Sequence, residues 1–164
     1  MIININDLKV KNTEFVEDLV FNPETYKCTY PLNEIKSCHV KVVASKYDDF
    51  VEVNVYVDAL VNLVSSYSLK NFDYKLHTSE EYHFGDLKDD LDSDMTPLNG
   101  IHIELDKYIF MLIAASIPMS PKAPGETLPK GGDGLRILTE EELEKELSEE
   151  CDPRFAALDN LDLD

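Results

Sequence analysis

The stretch FVEVNVYVDALVNLV, residues 50–64, alternates apolar and mostly polar positions along its whole length. Because successive side chains of a β-strand point to opposite faces, this alternation predicts a long strand with one buried face. Valine occupies most of the apolar positions, and β-branched residues favour strands. The positions predicted to face the core are Val51, Val53, Val55, Val57, Ala59, Val61 and Leu63.

The same alternation continues on both sides of this stretch. Short links at residues 46–49 and 70–71 join it to its neighbours, and short links imply antiparallel pairing. We therefore predict a meander of three long antiparallel strands. Its outer two strands contribute a second set of core positions: Cys38, Val40, Val42 and Ala44 upstream, and Phe72, Tyr74, Leu76, Tyr82 and Phe84 downstream.

The N-terminal part is predicted to contain a short strand and a helix. MIINI at residues 1–5 has the composition of a strand. Asn12 or Thr13 is suited to cap a helix that ends at Asn22-Pro23. Its predicted apolar face follows helical spacing and consists of Phe15, Val16, Leu19 and Val20.

A second helix is predicted after a short strand at IHIE, residues 101–104. Asp106 is suited to cap it, and residues 107–116 are apolar on nearly all sides, which is typical of a buried helix. We expect this helix to pack on the apolar face of the meander. The fold class predicted is α+β: an antiparallel β-meander of long strands packed against a buried helix, with an irregular acidic C-terminal segment.

Two regions depart from this pattern. Residues 86–98, which begin DLKDDLDSD, are predicted to be a mobile acidic loop within a core domain of residues 1–118. Residues 119–164 begin with a Pro/Gly-rich connection. Thr139 and Glu142 then form a capping box that opens a helix to about Glu150, and Asp152-Pro153 is suited to start a last short helix.

Charge is the feature that most restricts the partners. The formal net charge is −18, and residues 140–164 carry 11 acids and 2 bases, so half of the net charge lies in the last 25 residues. Binding to phosphate backbones depends on Lys and Arg, so this balance disfavours nucleic acid and favours a basic protein partner. Acid that only maintains solubility is an equal alternative.

The three cysteines, Cys28, Cys38 and Cys151, form no close pair, which favours reduced thiols in a cytoplasm. No apolar run reaches the length of a membrane span.

No catalytic, metal or cofactor site is predicted. His77 and His83 share the parity of one strand but should lie roughly 20 Å apart, too far for a shared metal ion. GGDG at residues 131–134 lacks the spacing of a phosphate-binding loop, and residues 86–94 lack the central Gly and closing Glu of a calcium loop. The sequence therefore favours a protein without enzymatic activity.

A set of short motifs resembles the YceD-like family, the large ribosomal RNA subunit accumulation proteins. The motifs are DPRFAAL at residues 152–158, ASIP at 115–118 and LTEEELEKE at 138–146, and the resemblance covers roughly residues 35–160. The family also has a Cys-x-x-Cys-Leu segment after the long strand. Here that segment reads SSYSL, so Ser65 and Ser68 stand where the cysteines would be, and neither serine is a plausible zinc ligand.

The resemblance implies a non-enzymatic role in accumulating or assembling the large ribosomal subunit, with direct or indirect contact to rRNA. Given the charge, we expect a basic ribosomal protein or assembly factor to bind the C-terminal segment. An equal possibility is that this segment packs on its own domain. The alternative is a binder of single-stranded RNA that stacks bases on Tyr56, Tyr67, Tyr74 and Tyr82. The residues predicted to form the partner-binding segment are Asp152, Pro153, Arg154, Phe155 and Leu158.

Overall fold

The computed structural model describes residues 1–10, 12–85, 95–98, 100–127, 131, 137–138 and 140–149. The chain divides into two compact units, Met1–Ala123 and Pro124–Asp164. The first unit contains seven strands and one α-helix among its described residues. In the second unit the described residues contain one helix, α2, at Glu140–Glu149, where the capping box predicted a helix. Thr139, Asp152 and Pro153 lie outside the described residues.

A five-stranded sheet with the order β2-β3-β4-β5-β6 forms the body of the first unit, and its edge strands are β2 (Thr13–Leu19) and β6 (Met95–Pro97). Its three central strands are β3 (Leu32–Lys46), β4 (Phe50–Val64) and β5 (Asn71–Gly85), each 15 residues long. Both pairs are antiparallel, with Val40 opposite Val57 and Val57 opposite Thr78. The predicted meander of three long strands is confirmed, and one further strand extends it on each side.

The core lies on one face of this sheet. Every odd-numbered position of β4 from Val51 to Leu63 is buried, as its alternation predicts. A helix, α1 (Asp106–Ala115), packs against β4 and β5 and buries Ile109, Leu112 and Ile113. A small antiparallel sheet of β1 (Ile2–Asn4) and β7 (His102–Glu104) adds Ile3 and Ile103 to the same core. The helix packed on the sheet agrees with the predicted arrangement of α+β layers.

Residues Thr13–Leu19 form a strand, β2, so the predicted N-terminal helix is wrong. β2 pairs antiparallel with β3, placing Phe15 opposite Val42 and Leu19 opposite Cys38. Phe15 and Leu19 fit both a helical and a strand period. Val16 and Val20 distinguish the two, because they would join the buried apolar face only in a helix. In the structure their side chains are 59% and 96% exposed. Pairing with the edge of the long strand β3 outweighed the local helix signal.

The start of α1 also differs from the prediction. Leu105 is the residue that precedes the helix, and no side chain caps it. Asp106 is instead the first helical residue, and its carboxylate accepts a hydrogen bond from the amino group of Met1. A carboxylate in the first turn still complements the positive end of the helix dipole.

Part of the predicted acidic loop is a strand. Met95–Pro97 form β6, which pairs in parallel with His83–Gly85 at the end of β5. Residues 86–94 and residue 99 lie outside the described residues. In the described parts of the chain, no helix is long and apolar enough to cross a membrane.

Cys38 is expected to react with alkylating agents at least about tenfold more slowly than Cys28 in the folded protein. Burial, with a smaller effect of Asp18, raises the pKa of the Cys38 thiol to about 12, and its side chain is 1% exposed. Cys28 is only partly buried. The measurement is iodoacetamide labelling at pH 8 followed by mass spectrometry of the peptides, with urea-unfolded protein as the control in which both thiols react alike. Equal labelling rates in the folded protein would contradict the burial of Cys38.

Candidate functional site

A cavity of about 580 Å³ opens beside the N-terminal end of α1. Its walls come from β1, from β7 and the start of α1, and from residues at the ends of β5 and β6. The side chains that give it chemical character are three aromatic rings and two carboxylates. They are Tyr26, Phe84, Tyr108, Glu104 and Asp106.

The aromatic rings are held by neighbouring rings. The rings of Tyr108 and Phe84 meet edge to face, with centroids 5.4 Å apart and planes at 88°. Tyr26 contacts Phe21 and Phe110, each at a centroid distance of 5.2 Å. Edge-to-face contacts such as Phe84–Tyr108 and Phe21–Tyr26 are geometries that aromatic pairs prefer. The cavity therefore has an aromatic wall of defined geometry.

The two carboxylates disfavour the negatively charged form of Tyr26. The pKa of Tyr26 is raised, first by burial, then by Asp106 and then by Glu104. Lys107 and His102 also line the cavity, and the Met1 amino group pairs with Asp106, so the local charge is mixed. Glu104 is exposed on β7. Carboxylates beside ring faces are a suitable environment for a lysine or arginine side chain.

The predicted partner-binding segment belongs to the acidic C-terminal region. Asp152, Pro153, Arg154, Phe155 and Leu158 all lie outside the described residues. The acidic helix α2 that precedes them is described, and Glu142 and Glu144 are exposed on it.

Ser65 and Ser68 lie in the turn between β4 and β5. Ser65 is fully buried, and its Oγ accepts hydrogen bonds from the backbone N–H groups of Tyr67 at 3.1 Å and Ser68 at 3.4 Å. The Ser68 Oγ accepts from the Lys70 N–H at 3.3 Å. Leu69 adopts a positive φ of 57° in the same turn. Both serines therefore hold backbone geometry at the place where the family motif has cysteines.

The four tyrosines of the RNA-stacking alternative do not share a surface, so the predicted platform is wrong. Tyr56 points to the exposed face of β4. Tyr74 and Tyr82 lie on the opposite face, where they pack against the core. Tyr67 lies in the β4–β5 turn, with the Lys122 ammonium 4.9 Å from its ring centroid.

Three potential metal ligands converge on the exposed face of the sheet. Glu52 on β4 lies directly opposite His83 on β5, and Glu81 precedes His83 by two residues on the same face. Their ligand atoms all lie within 4.8 Å of one another. Sequence reasoning examined the histidines along their own strand and missed this group, because Glu52 joins it only through the β4–β5 register.

The sequence matches the model of a known protein family. The family model named "Large ribosomal RNA subunit accumulation protein YceD" matches residues 53–162. The chain belongs to the YceD family. The match begins inside β4 and includes α1, α2, both serine positions and the DPRFAAL motif. No curated protein and no solved structure matches the chain.

Membership of the YceD family confirms the resemblance seen in the sequence. The family's name implies a role in the accumulation of large-subunit ribosomal RNA, and it describes no catalytic activity. Among the lining residues of the cavity, Phe84, Glu104, Asp106 and Tyr108 fall within the matched range. Tyr26 comes from the part of the chain that precedes it.

Proposed function

We propose that this protein is a non-enzymatic factor of ribosome biogenesis that supports large-subunit rRNA accumulation by binding a basic ribosomal protein or assembly factor in the cytoplasm. The observation that carries the proposal is the YceD family match over residues 53–162. The net charge of −18 supports a basic protein as the direct partner, with rRNA contacted through it.

Two regions that carry carboxylates are proposed to share the binding. The C-terminal region of residues 140–164 attracts the partner through its charge, and Arg154 and Phe155 anchor the segment, Phe155 by burial and Arg154 by pairing with a carboxylate or carbonyl group. The cavity beside α1 receives a basic side chain of the partner between Glu104 and the rings of Tyr26 and Tyr108. Exposed charges interact less strongly at high salt, so the complex is expected to weaken as salt rises.

The test is a pull-down from the native cytoplasm, read by mass spectrometry and RNA sequencing. Wild-type protein is expected to recover basic large-subunit proteins or assembly factors. Arg154→Ala/Phe155→Ala is expected to reduce that recovery at least about tenfold, and Glu104→Gln separately at least about fivefold, because losing each interface anchor costs more than about 1 kcal/mol. The matched control is Lys9→Ala/Val20→Ala, which also removes a cation and an apolar side chain, both exposed in the first unit.

Two results would contradict the proposal. RNA that is recovered after the proteins have been removed would indicate direct RNA binding. Equal losses in the control variant would show that the anchoring residues are not specific. Circular dichroism of each variant is needed beside the pull-down, because an unfolded Arg154→Ala/Phe155→Ala variant would show that the tail closes its own domain.

A further inference from the structure

We infer that Glu52, Glu81 and His83 form a binding site for a divalent transition-metal ion, of which Zn²⁺ is the representative. The site lies on the exposed face of the large sheet and is independent of the partner binding proposed above. It combines one imidazole nitrogen with two carboxylate oxygens, a donor set that zinc accepts in proteins.

The distances between the ligand atoms are close to those that one ion requires. All three lie within 4.8 Å of one another, and His83 Nε2 is 3.3 Å from Glu81 Oε1. Ligand atoms on one tetrahedral zinc ion, bound at roughly 2.0–2.2 Å, lie roughly 3.3–3.6 Å apart. His83 and Glu81 are therefore already at the separation that one ion requires, and torsions of the flexible Glu52 side chain bring the third ligand atom into range without backbone movement.

The sheet holds the ligands in place. Glu52 and His83 are directly opposite across two antiparallel strands, so the backbone fixes their separation. Asn54 Nδ2 donates a hydrogen bond to Glu52 Oε1 at 3.1 Å, and the Phe50 ring meets the His83 ring at a centroid distance of 5.4 Å. Neighbours that orient metal ligands raise the affinity of a site, because less freedom is lost on binding.

Charge also favours a cation at this position. Two carboxylates on neighbouring strands repel each other, and an ion between them replaces that repulsion with attraction. The imidazole selects a borderline transition metal over Mg²⁺ or Ca²⁺, which prefer oxygen ligands only. A shallow cavity of about 220 Å³, lined by Asn54, Tyr56, Ser79, Glu80 and Glu81, shares Glu81 with the site. Glu81 is exposed, so water has access to the remaining coordination positions.

The experiment is calorimetric titration of the full-length, chelator-treated protein with ZnCl₂. We expect one ion per chain, bound more than about tenfold more weakly by His83→Ala and by Glu81→Gln, since even residues that only orient a ligand change affinity by about 10–100-fold. His77→Ala is the matched control. His77 lies on the same strand and face, six residues earlier, and its Nδ1 contacts the single carboxylate of Asp58. The affinity of the His77→Ala variant for Zn²⁺ should equal that of the wild type.

A Co²⁺ titration separates this site from the cysteines. Ligation by nitrogen and oxygen gives weak visible absorption, whereas thiolate ligation adds strong near-ultraviolet charge-transfer bands. The inference is overturned if wild-type protein binds no Zn²⁺, if His77→Ala weakens binding as much as His83→Ala, or if the Co²⁺ spectrum shows thiolate. Should His83→Ala fail to fold by circular dichroism, Glu52→Gln, which keeps the side-chain shape, decides the question in its place.

Discussion

Replacing Ile109 with alanine is expected to lower the free energy of unfolding by about 2–5 kcal/mol. Ile109 is fully buried where α1 packs on the central strands of the sheet. Alanine removes apolar contacts and leaves a cavity that neighbouring side chains fill only in part. Because typical domains are stable by about 5–15 kcal/mol, this single change can remove much of the margin.

Met111→Ala is the matched control for this prediction. Met111 lies on the same helix two residues later, and its side chain is 55% exposed. We expect its effect to remain within about 0.5 kcal/mol, as for most surface substitutions. Urea denaturation followed by circular dichroism measures both variants. Equal losses would show that α1 does not pack through the face that contains Ile109.

The central strands could be predicted because their signal is local. Each has 15 residues, and in β4 every apolar position of the odd-numbered face is buried. A one-residue change of register would expose that whole face, so alternation over such a length specifies the pairing strongly. The N-terminal strand carries much weaker information. In β2 only Phe15 and Leu19 face inward with an apolar side chain. Their strand conformation depends on antiparallel pairing with β3, which the local sequence does not encode.

The candidate sites were less accessible to sequence reasoning. The two carboxylates of the cavity, Glu104 and Asp106, are close together in the chain, but its aromatic wall combines Tyr26 and Phe84 from positions far apart. The metal-ligand group also combines residues that are distant in the chain, since Glu52 lies beside His83 only because of the register of β4 and β5. Local patterns predict which side chains share a strand face. Proximity across strands also requires the register and the curvature of the folded sheet.

The second large effect is expected at Ser65, whose replacement by alanine should destabilise the protein by about 1–3 kcal/mol. The Ser65 Oγ accepts hydrogen bonds from the N–H groups of Tyr67 and Ser68 in a fully buried position. Alanine removes the acceptor and leaves two backbone donors without it. Those donors cannot both turn to solvent, because the positive φ of Leu69 and the Ser65 N–H bond to the Lys70 carbonyl, 2.9 Å long, constrain the turn.

Ser68→Ala provides the comparison that makes this prediction specific. The Ser68 Oγ accepts a bond from the Lys70 N–H at 3.3 Å, but in an exposed position where water can replace it. We expect a loss of less than about 0.5 kcal/mol there. Urea denaturation of both variants is the measurement, and equal effects would contradict the unequal roles of the two serines. An unequal result would mean that, at the two positions where the YceD motif has cysteines, this chain stabilises its turn mainly through the first of them.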